Sequence, residues 1–266
     1  MVPEDIAELR RAVEALEHPS LTARLANLLG KPIELVQKAL PSGASEAISG
    51  ATAKGLNAAL RVALLSMQGE GRTASPRLHK SLAAVSGALG GGFGLLALPV
   101  ELPVSTVIML RAIVEIARSH GEDIRDPDTA LSCLEVFALG GRAEERDILG
   151  NGYFAVRASL AKALTEAGRF IAERGIVAEG APVLVRFLAQ IASRFGIVVS
   201  QKLAAQTLPV FGAIGGAAVN YAFIAHFQDI AQAHFTVRRL ERAYGKTRVR
   251  AEYERIRDTV PARRAA

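Results

Sequence analysis

The sequence predicts an all-α fold, a single multi-helix domain in which two central glycine-rich helices pack on each other. Three observations carry this. Ala, Leu, Arg and Glu dominate, and apolar residues recur at helical spacing along nearly the whole chain. Pro3, Pro32, Pro76, Pro103, Pro127 and Pro182 fall where helices can begin, and Gly30, Gly121, Gly140 and Gly245 fall where they can end. Half of the residues are apolar and the mean hydropathy is +0.24, which suits a sizeable core and excludes disorder.

In chain order, the pattern predicts helices at 4–17 (acidic first turn after Pro3), 20–29 (closed by Gly30) and 32–40 (opened by Pro32). An Ala-rich run at 44–67 and a run opened by Pro76 at 76–97 follow. Next come 104–120 between Pro103 and Gly121, 127–139 between Pro127 and Gly140, then 151–174 and 182–200. The last long stretch, 203–243, breaks at Pro209, whose ring removes a helix donor. A final helix at 247–258 precedes a frayed Arg-containing end. No Pro/Ser-rich linker divides the chain. The predicted organisation is an N-terminal helical cap (1–75), a helical core (76–245), and a basic C-terminal helix with its tail (246–266).

Charge is unevenly placed. The net values are +2 for residues 1–80, −2 for 81–201 and +6 for 202–266. A basic C-terminal quarter favours anionic partners, with Arg238, Arg239 and Arg242 as the lipid- or anion-binding candidates. No nucleic acid is expected: Trp is absent and aromatics are 5%, too few for base stacking. The lone cysteine, Cys133, excludes an internal disulfide and a Cys-based zinc site. The opening MVPEDIAELRRAVEAL reads as an acidic helix rather than a secretion signal. The expected location is cytoplasmic, either peripheral to or partly inserted in the inner membrane.

Two segments lack any charge: SLAAVSGALGGGFGLLALPV (81–100) and LAAQTLPVFGAIGGAAVNYAFIA (203–225). Each is long enough to cross a hydrocarbon core as a helix. Gly87 and Gly91, Gly90 and Gly94, and Gly212 and Gly216 form G-x-x-x-G pairs. Glycine costs a helix about 1 kcal/mol relative to alanine, so this density calls for close backbone approach, and the two segments are expected to be mutual partners. Arg77 and Lys80 before the first, and Arg238, Arg239 and Arg242 after the second, would put both ends inside if the pair spans a membrane. Pro99, Pro209, Gln206 and Asn220 argue instead for a soluble core. GALGGGFG lacks the lysine and hydroxyl of a phosphate loop and follows no strand, so no nucleotide or other cofactor is expected.

The candidate chemistry lies in two stretches. In ELPVSTVIMLRAIVEIARSHGED, residues Arg111, Glu115, Arg118 and Glu122 follow at helical spacing on a helix that is otherwise apolar nearly all round. The stripe is therefore expected to be desolvated, either as an internal ion ladder or as the wall of a cleft in which Glu101, Arg111 and Glu115 bind something. In NYAFIAHFQDIAQAHFTVRRLERAYG, His226 and Asp229 stand three apart and can touch. His226 and His234 lie eight residues or about 12 Å apart along a helix and cannot hold one metal ion. A site using His226 would need Glu101 or Glu115 from another helix. No complete metal or nucleophile motif occurs, so no metal is assigned. Arg118, Glu122, Asn220, Asp229 and His234 complete the expected polar network.

LHKSLAAVSGALGGGFGLLALPVELPVSTVIMLRAIVEIARSHGEDI, CLEVFALGG and LPVFGAIGGAAVNYAFIAHFQDIAQAHFTVRRLERAYG resemble the EcsC protein family over roughly residues 76–245. The resemblance implies a bacterial protein with an ABC-transporter or membrane association in its lineage, and it implies no biochemical activity. Two function classes follow. The first is a membrane-associated or lipid-interacting accessory protein whose partner is anionic lipid or a membrane transporter complex. The second is a hydrolase-like enzyme, possible with a metal, in which Glu101 or Glu115 is base or ligand, Arg111 an anion binder and His226 the acid or ligand. The lack of a complete catalytic motif favours the first.

Overall fold

One short helix is buried nearly all round, and five other helices pack against it. The computed structural model describes residues 1–17, 21–30, 44–67, 98–141, 152–174, 181–207 and 212–259. Among these, the helices are α1 (Pro3–Glu17), α2 (Leu21–Leu29), α3 (Ala44–Met67), α4 (Leu98–Ser119), α5 (Pro127–Leu139), α6 (Tyr153–Arg174), α7 (Pro182–Thr207), α8 (Gly212–Tyr244) and α9 (Lys246–Thr259), with no strand. The all-α prediction holds. The expected helices at 32–40 and 76–97, and with them Gly87, Gly90, Gly91 and Gly94, lie outside the described residues.

α5 is the short central helix. Asp126 caps it by accepting the Asp128 N–H at 3.1 Å, and Pro127 opens the first turn, where a missing donor costs nothing. Every residue from Thr129 to Leu139 is buried. The helix packs against α3, α4, α6, α7 and α8. Its Phe137 meets Phe195 of α7 and Phe227 of α8 at ring-centroid distances of 5.0 and 5.4 Å, and Phe223 of α8 closes the group against both. These tilted and edge-on contacts are the favoured aromatic geometries.

Two described glycines leave room for side chains of neighbouring helices. A Cβ on Gly55 of α3 would sit 2.8 Å from Thr106 Oγ1 of α4. A Cβ on Gly140, at the end of α5, would sit 2.5 Å from Phe227 of α8. Gly121 and Gly245 follow α4 and α8 with φ of +75° and +85°, the left-handed conformation that ends a helix cheaply only at glycine.

Two boundaries differ from expectation. α4 begins at Leu98 and carries Pro103 inside it; so early in the helix the ring removes one donor without ending the run. α7 continues to Thr207 and α8 starts at Gly212. Pro209, the expected break, lies outside the described residues. The N-terminal helices are part of the same core. Leu9, Val13 and Leu16 of α1 are buried, and α1 packs on α8 and α9. Glu17 reaches across to accept the Tyr153 N–H at 3.1 Å and the Tyr253 hydroxyl at 2.7 Å, tying α1 to α6 and α9.

Candidate functional site

The largest buried polar cluster lies where α5, α6 and α8 meet. Arg157 of α6 makes two parallel hydrogen bonds to the Glu241 carboxylate of α8, at 2.8 and 3.1 Å, and a third to the Tyr153 hydroxyl oxygen at 3.3 Å. Tyr153 Oη stands 3.0 Å from His234 Nδ1. That oxygen accepts from Arg157; with its own hydrogen directed to Nδ1, the imidazole proton sits on Nε2. Nε2 has no hydrogen-bond partner and points to Glu135 of α5, whose Oε2 is 3.9 Å away. Both side chains are almost wholly buried.

The electrostatics follow from this burial. Burial raises the Glu135 carboxyl to about 7, although Arg157 and Arg238 pull the other way. Burial, with repulsion from the same two arginines, holds His234 well below the usual histidine value. Burial also raises the Tyr153 phenol, which stays protonated and able to donate.

A second clamp borders the first. Glu122, just after α4, accepts from Arg238 of α8 at 2.8 and 3.0 Å, from Arg242, and from the Thr129 hydroxyl at 3.2 Å. Arg238 also donates to Ser132 Oγ of α5 at 3.0 Å. Burial opposes ionisation of Glu122, yet the Arg238 and Arg242 contacts keep its carboxyl below the usual range.

The third buried group is separate. Glu101 in the first turn of α4 and Lys202 near the end of α7 form an ion pair at 2.7 Å, nearly without solvent. Lys202 also lies 4.8 Å from the Phe223 ring centroid of α8. Burial lowers the Lys202 ammonium and Glu101 opposes that shift.

The sequence-predicted residues therefore divide. Glu101 is buried as expected, with Lys202 for partner. The stripe is corrected. Arg111, Glu115 and Arg118 face solvent, because α4 packs on its neighbours through Ile108, Met109, Leu110, Ile113, Val114 and Ala117 and leaves that line outside. Only Glu122 of the four has a buried carboxylate.

His226 is buried, donating from Nε2 to the Gly140 carbonyl at 3.0 Å, and burial depresses it to about 4. Asp229 pairs instead with Arg24 of α2 at 2.5 Å, on the surface. Asn220 is buried in α8. The structure thus gives Glu101, Glu115 and His226 separate surroundings. Among the described residues, no three His, Cys, Asp or Glu side chains group as a metal site.

The basic candidates are paired with acidic side chains: Arg238 and the exposed Arg242 with Glu122, and Arg239 with Asp5 and Glu8 of α1 at 3.0 and 2.7 Å.

Sequence reasoning missed Glu135, Tyr153, Arg157 and Lys202. One signal was present. TALSCLEVFAL is apolar or small at every position except Glu135, and a single carboxylate on such a helix has no wet face to occupy.

The EcsC protein family model matches residues 4–240, which takes in α1 to α3 as well as the stretch that carries the resemblance in the sequence. No curated protein and no solved structure matches the chain.

Proposed function

The chain belongs to the EcsC protein family, and on that premise we propose that it is a membrane-associated accessory protein that meets lipid through one end of its bundle. The observation that supports this is a group of exposed apolar side chains. Val100 and Val104 of α4 and Tyr221 of α8 are 72%, 43% and 76% exposed. They belong to the turns that carry Glu101 and Phe223, which the Lys202 side chain brings together. Val100 is the last residue of the charge-free stretch 81–100, and Tyr221 belongs to the charge-free stretch 203–225. Exposed valines and a tyrosine suit the boundary between acyl chains and headgroups.

α7 is a further consideration. Pro182–Gln206 is long and apolar enough to cross a membrane by length and composition, and 39% of its most apolar stretch is buried inside the protein. Its Phe187, Ile191, Phe195 and Val198 are part of the core, so the reading favours contact at the end of the bundle over insertion of α7.

The reading does not rest on Arg238, Arg239 and Arg242, since all three are paired with acidic side chains of the fold. The enzymatic alternative built on Glu101, Arg111, Glu115 and His226 has lost its geometric basis.

Flotation of the full chain with phosphatidylcholine vesicles, with and without phosphatidylglycerol, tests the reading. Wild type should float, and the Val100→Asp/Tyr221→Asp double variant should stay at the bottom while keeping its far-ultraviolet circular dichroism. Equal flotation of a folded double variant, or no flotation of wild type on either vesicle, would overturn it.

A further inference from the structure

We propose that Glu135 and His234 form a buried proton-binding site that joins α5 to α8, with Tyr153 setting the imidazole tautomer. The site stands on geometry. His234 is fully buried, and its Nδ1 is occupied by the Tyr153 hydroxyl at 3.0 Å. Its Nε2 has no partner and faces Glu135 Oε2 at 3.9 Å. A buried donor without a partner is costly and rare in a settled core. Here it is aimed at a group whose affinity for it depends on charge. The charged and titratable groups around the pair are Arg157 of α6 and Arg238 and Glu241 of α8, with the Tyr153 phenol of α6.

The two protonation states ask for different hydrogen bonds. An ionised Glu135 accepts from His234 Nε2–H once the two close by less than an ångström, and it is drawn toward Arg157 and Arg238. A neutral Glu135 accepts only weakly through its carbonyl oxygen, and it carries an O–H that needs an acceptor of its own. It is satisfied by the imidazole only if the ring takes its proton on Nδ1, which the Tyr153 hydroxyl opposes. Gain or loss of one proton at the Glu135 carboxyl therefore changes which contact holds α5 to α8. The ligand is the proton itself, and burial places the change near neutral pH for Glu135.

Carbon-13 NMR of the full chain with labelled glutamate carboxyls, followed over pH, tests this. One carboxyl should titrate near neutral pH, well apart from the others, and should vanish in Glu135→Gln. In Tyr153→Phe the same resonance should titrate at still higher pH, because the freed Nδ1 can take the ring proton and let Nε2 accept from neutral Glu135. If every wild-type glutamate titrates in the ordinary acidic range, the site does not exist; this outcome is readable even if Glu135→Gln does not fold. If the neutral titration is present but identical in a folded Tyr153→Phe, the coupling to His234 is wrong and the proposal falls.

Discussion

α4 and α5 are both apolar helices that carry acidic residues, and the structure treats them in opposite ways. α4 has charges at regular helical spacing, Arg111, Glu115 and Arg118, and they line the one face that it leaves in water. α5 has a single carboxylate inside its apolar run, Glu135, and that helix is buried all round. The difference is one of periodicity. Charges repeated every three or four residues define a solvated stripe, however greasy the remaining faces. A carboxylate with no charged neighbour at helical spacing has no stripe to belong to, and it goes where the helix goes. Desolvation then sets its chemistry: burial carries Glu135 to about 7.

The comparison breaks most visibly if buried charges prove cheap to orphan. Lys202→Met removes the partner of Glu101 inside the core. The expected loss is about 3–5 kcal/mol, the usual consequence of leaving one member of a buried pair alone. Urea unfolding reads it, and a loss under about 1 kcal/mol would mean that Glu101 is solvated after all.

Next comes the acid limb. His226 sits near 4 in the fold against 6.5 when unfolded, so the unfolded chain binds the extra proton. Its contribution is fully present above about pH 6.5 and is lost as pH falls toward 4, a span of about 3 kcal/mol at most. His226→Gln should flatten the wild-type loss of stability between pH 6.5 and 4.5, and an unchanged acid slope would refute the assignment. His234, also depressed, acts in the same direction.

Gly140→Ala places a methyl against Phe227 and near His226 Nε2, which a Cβ would approach at 2.5 and 3.2 Å. Overpacking of this kind costs about 1–3 kcal/mol, measurable as a lowered Tm. A neutral result would show that the α5–α8 contact is looser than described. At the small end, Glu115→Gln should change stability by no more than about 0.5 kcal/mol, as surface substitutions do. A larger loss would restore the idea of a desolvated ladder on α4.

The helices and most of their ends were legible because they depend on local features: Pro127 and Asp126 opening α5, Gly121 and Gly245 in positive φ closing α4 and α8. The continuation of α7 to Thr207 was not legible. Burial of Glu101, Glu122, His226 and His234 could be suspected. Their partners could not, because Lys202, Arg238, Gly140 and Tyr153 lie 81 to 116 positions away along the chain. The basic cluster misled for a related reason. Arg239 looks like a free cation until α1 folds over it with Asp5 and Glu8. Charge counted along the sequence says nothing of the acidic residue that arrives from the other end of the chain.

The most direct test of the contrast is denaturant unfolding of wild type, Glu115→Gln and Glu135→Gln at pH 5.5 and pH 8.5. A carboxyl raised to about 7 in the fold, against 4.5 in the unfolded chain, stabilises the native state most below about pH 4.5 and loses that contribution as pH rises through 7. Glutamine does not titrate, so Glu135→Gln should gain about 2 kcal/mol on wild type between the two pH values. The His226 contribution is common to both proteins and cancels. Glu115→Gln should track wild type at both. A Glu135→Gln difference that stays constant with pH, or a Glu115→Gln difference that grows with it, would contradict the account.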